Sequence, residues 1–317
     1  MLGAGGTVGH AYHAGTLAAL AEAGWDARDA AVIVGTSIGA LTGALLRAGL
    51  APADLYARVI GEPVSPDGQA ILGGIPAWST IACDLRRGRT PIGRPASLRL
   101  LRRLARRPSH TRAGLLLAAV TPAGPVPTEP IARAFNRMLG GAWPDRTLWV
   151  CAVDLDDGRR VILGPDDGPA VDVGTAVAAS SAAPSLFQPV VVDGRRLVDG
   201  GLHSPANADV LADAIDQVDA VVVSAPMGIG SRPGRGGADL PGRLLNHWTT
   251  WRELGRVREA GVPVTVFEPG ASELELMHYD AFDLTHRVDV ARRAHDAAAA
   301  RVTAPAAQPA LVSVKPA

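Results

Sequence analysis

The stretch Ala31-Val-Ile-Val-Gly-Thr-Ser-Ile-Gly39, running on through Ala40 into Leu41-Thr-Gly-Ala-Leu-Leu-Arg-Ala48, decides how this chain folds. Its first four residues are apolar without a break, and three of them are β-branched, as in a short strand covered on both faces. The last eight return to helix-forming composition. Between them Gly35-Thr-Ser37-Ile-Gly39 is a G-x-S-x-G sequence, placed where a strand turns sharply into a helix. Such a turn closes only between small neighbours. It lifts the serine oxygen over a helix N-terminus, whose free N–H groups favour developing negative charge. Ser37 is therefore a candidate nucleophile, with Gly35 and Gly39 as the glycines that let the turn close.

The rest of the chain continues the alternation. Thr16–Ala23 is helix-forming, and residues 51–75 read as a short helix followed by a Gly/Pro-rich connection. Leu148–Leu155 and Arg160–Leu163 flank Asp156-Asp157-Gly158, and Val190–Val192 and Arg195–Val198 flank Asp193-Gly194; both read as hairpins. Ala220–Ser224 and Val262–Phe267 are further buried strands, with helices at about 206–216, 244–260 and 285–302. Strands alternating with helices predict an α/β fold, three layers deep, with a mostly parallel central sheet. One domain is expected over residues 1–302, followed by an Ala/Pro-rich tail at 303–317 that frays. An insert at about 84–129 differs in kind. No acid occurs between Asp84 and Glu129, while arginines recur from Arg86 to Arg112. Leu98, Leu101 and Leu104 among those arginines predict a basic amphipathic helix. It either covers the domain with a solvated face or meets anionic lipid headgroups and acyl chains.

Composition narrows the function. Of the 317 residues 47% are hydrophobic, enough for a large core, and 31 acids balance 31 bases, which excludes a disordered chain. Overall neutrality and few aromatics argue against nucleic acid as a partner. No apolar run reaches the ~18 residues of a membrane span, and no secretory signal is expected. Two cysteines, Cys83 and Cys151, make no disulfide framework, so a reducing, cytoplasmic location is expected, peripheral to a membrane if the insert touches lipid. Lys315 is the only lysine and stands three from the end. It is badly placed for a Ser–Lys dyad, a Schiff base, a P-loop or a Tyr-x-x-x-Lys pair.

Two more segments carry chemistry. Leu2-Gly-Ala-Gly-Gly-Thr-Val-Gly9 exposes main-chain N–H groups that can cradle an anion. One such anion is a dinucleotide pyrophosphate, since Gly3, Gly6 and Gly9 share a G-x-x-G-x-x-G spacing; the other is the oxyanion of acyl transfer. A nicotinamide-dependent oxidoreductase wants an acid or arginine at the end of the next strand, which here ends Gly35-Thr36-Ser37. Val198-Asp-Gly-Gly201 places Asp199 at a strand end, with Gly200 and Gly201 permitting close approach; alone, it reads equally as a turn former. His203, His278 and His286 leave a triad open. His10 and His13, three apart on an expected helix, have metal-like spacing but no third ligand, and Asp154, Asp156 and Asp157 lack the order of a calcium loop, so no metal is expected.

Taken in order, the glycine-rich loop, G-x-S-x-G and D-G-G resemble the patatin-like phospholipases. Ser180-Ser-Ala-Ala-Pro184 and Phe187-Gln-Pro189 add to the resemblance, which spans about residues 2–300. It implies a patatin-like α/β/α fold and a serine lipid acyl hydrolase, of phospholipase A or lipase-esterase type, that needs no cofactor. It also implies a Ser–Asp dyad with Ser37 as nucleophile and Asp199 as general base, and an oxyanion cradle at Gly5, Gly6 and Thr7. A non-catalytic lipid- or protein-binding module on the same fold is the alternative. An aspartate of ordinary pKa, ~3.9, is a feeble base for a hydroxyl, so an apolar pocket is expected around Asp199. Two positions depart from the family's G-G-G-x-[RK]-G: Ala4 replaces its first glycine and Val8 its basic residue. Only Met1 and Leu2 precede Gly3, whereas a buried strand normally has about five residues. A start upstream, or a weakly held edge, is therefore expected.

Overall fold

The computed structural model describes residues 1–73, 93–106, 112–164, 168–231, 238–277 and 281–303. The strands are β1 (Val32–Thr36), β2 (Thr147–Asp154), β3 (Arg160–Leu163), β4 (Val190–Val192), β5 (Arg195–Asp199), β6 (Val221–Ser224) and β7 (Val264–Phe267). β1 runs parallel to β2, and β6 parallel to β7. Leu2 joins the two pairs through parallel bridges to Gly35 and Ser224. Its N–H donates to Val34 O (2.8 Å) and its carbonyl accepts from Thr36 N–H (3.0 Å), while Gly3 N–H donates to Ser224 O (2.9 Å). The centre of the sheet, β2–β1–Leu2–β6–β7, is thus parallel, and the hairpin strands β3, β4 and β5 extend it antiparallel.

One consequence of the register positions the site. Val150 and Cys151 of β2 pair with β1 on one side and β3 on the other; Ala152 and Val153 pair with β5 and β3. β1 and β5 therefore share an edge of β2 and point at each other. Thr36 ends opposite Cys151, and Asp199 ends opposite the next residue, Ala152. The β4–β5 turn that aims Asp199 needs two left-handed residues, and Asp193 (φ 48°) and Gly194 (φ 75°) supply them.

The helices are α1 (Gly6–Glu22), α2 (Ile38–Arg47), α3 (Pro52–Ile60), α4 (Pro66–Leu72), α5 (Leu98–Arg106), α6 (Ala113–Val120), α7 (Glu129–Leu139), α8 (Val173–Ser180), α9 (Leu240–Glu253), α10 (Gly255–Glu259), α11 (Ala271–Leu274) and α12 (Arg287–Thr303). Side chains alternate along β2, which sorts the helices into two layers. Leu148, Val150 and Ala152 face a core shared with Val8, Leu17, Leu41, Leu45 and Val177 of α1, α2 and α8. Cys151 faces the other way, with Val34 and Val223, against Leu211 and, from α10 and its N-cap, Val257 and Leu254. Each such leucine or valine, fully buried, contributes about 1.5–3 kcal/mol. Farther along the second face, Val153 and Val198 are covered by Leu115 and Ala118 of α6. The described part of the arginine-rich insert is thus docked on the domain by its leucines.

Several boundaries move. The first helix, expected to follow the glycine-rich stretch and to carry His10 and His13, begins inside that stretch at Gly6. Glycine is a poor helix former, but at Gly15 a Cβ would run into the Ala291 carbonyl of α12, so close packing outweighs propensity. Residues Ala208–Gln217 form a 3₁₀ segment broken at Ala214. The 244–260 helix is two helices, and the 51–75 stretch holds both α3 and α4. Cys83, Arg86, Arg87, Arg89, Arg107, His278 and the tail beyond Thr303 lie outside the described residues.

Candidate active site

Ser37 caps the N-terminus of α2 with φ 55° and ψ −122°, a left-handed conformation rare for a side-chain-bearing residue. Its neighbours must be bare. A Cβ at Gly35 would stand 2.5 Å from Ala40 Cα, and one at Gly39 would run into the Leu2 carbonyl. Ser37 N–H donates to Ser180 Oγ (2.8 Å), and that hydroxyl donates to Cys151 O (2.6 Å). The end of α8 thereby fastens the turn to β2.

Asp199, at the tip of β5, is buried. Ser37 Oγ donates to its Oδ2 at 2.6 Å, and Gly201 N–H donates to its Oδ1 at 2.7 Å. Burial pushes its carboxyl up to about 6, against the lowering effect of those two bonds. The residue following it must be glycine, because a Cβ at Gly200 would strike the Cys151 carbonyl.

The glycine-rich loop passes beside both motifs. Ala4 N–H donates to Pro205 O (2.8 Å), and the Ala4 methyl lies 3.1 Å from where a Cβ on Gly201 would stand. The alanine is accommodated because Gly201 has no side chain. Gly5 and Gly9 pack under the Pro226 ring. Gly6 is left-handed (φ 61°) and lies against the Ala281 carbonyl, which also accepts from Thr7 Oγ1 (3.2 Å) and Val8 N–H (3.2 Å). Val8 itself joins the core, so the family's basic position carries an apolar side chain packed inward. Among the described residues, the N–H groups of Gly5, Gly6 and Thr7 have no acceptor.

The other candidates are engaged elsewhere. His203 accepts the Arg112 guanidinium on its carbonyl (2.5 Å); its ring bonds neither Ser37 nor Asp199, and burial holds its pKa down at about 4. His10 bonds Thr42 Oγ1 (3.1 Å), and His13 bonds Ser224 Oγ (2.7 Å) and Gly3 O (2.8 Å). No group of three or more metal-ligating side chains occurs among the described residues. Asp154 Oδ1 accepts from the Asp156 N–H (2.8 Å), and Asp156 pairs with Arg196, as a hairpin turn requires.

Three side chains at the site had no role assigned from sequence: Ser180, Asn207 and Glu253. Ser180 was visible only as part of a motif. Glu253 lies on α9, and its Oε2 accepts from Ser204 Oγ (2.7 Å) and Ala208 N–H (3.0 Å). No spacing links it to Asp199.

The family model described as Patatin-like phospholipase matches residues 1–212, which include the glycine-rich loop, Ser37 and Asp199. No curated protein matches the chain.

Proposed function

The chain belongs to the patatin-like phospholipases, a family of lipid acyl hydrolases, and on that premise we propose that it cleaves a carboxylic ester of a lipid through a Ser37–Asp199 dyad. The observation that carries this reading is the 2.6 Å bond from Ser37 Oγ to Asp199 Oδ2. As Ser37 Oγ attacks the ester carbonyl, its proton passes to Asp199. The negative oxygen of the tetrahedral intermediate is met by the amides of Gly5, Gly6 and Thr7, together with the α2 dipole. Asp199 then protonates the departing alkoxide, and water, deprotonated by the same carboxylate, hydrolyses the acyl-Ser37 ester. A pKa near 6 suits both directions: the group is ionised at neutral pH and still basic enough to take a proton.

The lipid surface is met, in the same proposal, by the insert. Leu98, Leu116, Leu117 and Val120 of α5 and α6 are exposed, and so are Arg102, Arg103 and Arg106. These arginines have no ion-pair partner among the described residues.

A panel of phospholipid, glyceride and short-chain esters tests the chemistry, with fluorophosphonate labelling of wild type beside Ser37→Ala and Asp199→Asn. Both variants are expected to stay folded and to lose at least about 10³-fold in turnover. His203→Ala is expected to keep most of its activity. Wild-type Ser37 left unlabelled at high probe concentration would favour the non-catalytic binding module.

A further inference from the structure

β1 and β5 approach tip to tip along β2 without pairing with each other, so apart from β2 only side chains can tie the two tips together at the spacing of the Ser37–Asp199 bond. We propose that Asn207 is the positioning residue of the dyad, its carboxamide tying the residue before Ser37 to the residue after Asp199. The role rests on the dyad reading above. Asn207 is fully buried. Its Nδ2 donates to Thr36 Oγ1 (3.1 Å), Gly200 O (3.3 Å) and Ser204 O (2.6 Å), and its Oδ1 accepts from Arg160 Nη1 (3.3 Å).

A primary amide suits this place. Two N–H bonds are shared among three oxygens from separate parts of the site, and no hydroxyl offers two donors. The backbone is prepared for it as well. Asn207 is left-handed (φ 49°, ψ 42°), which asparagine tolerates better than most residues. Its N–H donates to Ser204 Oγ (3.1 Å), which donates in turn to Glu253 of α9. Ser180 holds the turn from the first helical layer and Asn207 from the second, so the tips are braced from both faces of the sheet.

Asn207→Gly keeps the left-handed backbone and removes the carboxamide; Asn207→Asp keeps the shape and replaces the donor with an acceptor facing three oxygens. Thr36→Val removes the partner oxygen, which also meets the Cys151 thiol, and carries the same test should either variant fail to fold. The readouts are the cooperative melt, kcat and KM on a soluble short-chain ester, and the pH dependence of Ser37 fluorophosphonate labelling. Wild type beside Ser37→Ala establishes the dyad separately. For Asn207→Gly we expect kcat to fall about 10²-fold with KM within about twofold, the size of effect a misplaced reacting group produces. The acid limb of the labelling profile should move above about 6, because a lengthened bond from Ser37 no longer holds the Asp199 pKa down. In Thr36→Val/Asn207→Gly the loss should be smaller than the product of the single losses. An unmoved acid limb, or a rate loss no larger than the unfolded fraction, overturns the role. Wild type without Ser37-dependent labelling removes the dyad, and this role with it.

Discussion

The burial that fits Asp199 for the proposed role of base costs stability. Its carboxyl titrates near 6 in the folded chain and near 3.8 when exposed, so the folded state holds the extra proton between those values. Stability from this group is fully present below about pH 4 and is lost as pH rises through about 6. Removing the charge should recover it. Asp199→Asn, whose side-chain oxygen can still accept from Gly201, is expected to be inactive yet more stable than wild type by up to about 3 kcal/mol at pH 8. The difference should vanish below pH 4, and urea melts across that range check it. Equal stability at pH 8 would mean that the carboxylate is not desolvated. On the proposed dyad the same titration sets the expected rate profile: turnover rises with pH through about 6, because only the carboxylate could accept the Ser37 proton.

At the scale of elements, legibility followed the source of the constraint. The β1–turn–α2 unit could be read because glycine, serine and glycine at fixed spacing answer a local steric demand. The hairpin that aims Asp199 could be read from Asp193-Gly194 for the same reason. A helix after the glycine-rich loop could be read too, but not that it takes in Gly6 and Gly9, since its glycines are held by α12 and Pro226 lying against them. Nor could the work of Ser180 and Asn207. In sequence, a serine in a Ser-Ser-Ala-Ala-Pro run and an asparagine at the start of an expected helix are ordinary turn formers and caps. What gives them their tasks is convergence of elements far apart in the chain. Ser180→Ala tests this for α8. It takes the acceptor from Ser37 N–H and the donor from the buried Cys151 carbonyl. A loss of about 1–3 kcal/mol in urea unfolding is expected, with at least about a tenfold fall in kcat. Unchanged kinetics would show that the turn holds its shape without the α8 tie.

Over the whole molecule the charges balance, but the insert concentrates one sign. A neutral chain has no long-range pull toward an anionic surface, so any attraction must come from that region at short range. Exchanging Arg102, Arg103 and Arg106 together for Gln is expected to weaken binding to anionic vesicles by about a hundredfold at low salt, at ~1 kcal/mol per arginine, and by less at high salt. Cosedimentation measures it, and unchanged binding would leave α5 as a solvated cover. A last consequence concerns timing. β2 acts as a ruler on which the proposed nucleophile and base are set from opposite ends. A slip of one residue in either strand displaces its tip by ~3.3 Å and turns its side chains to the other face. On the proposed dyad, a chain still assembling its sheet is therefore chemically harmless, and the power to cut lipid arrives only when two independent alignments are correct at once.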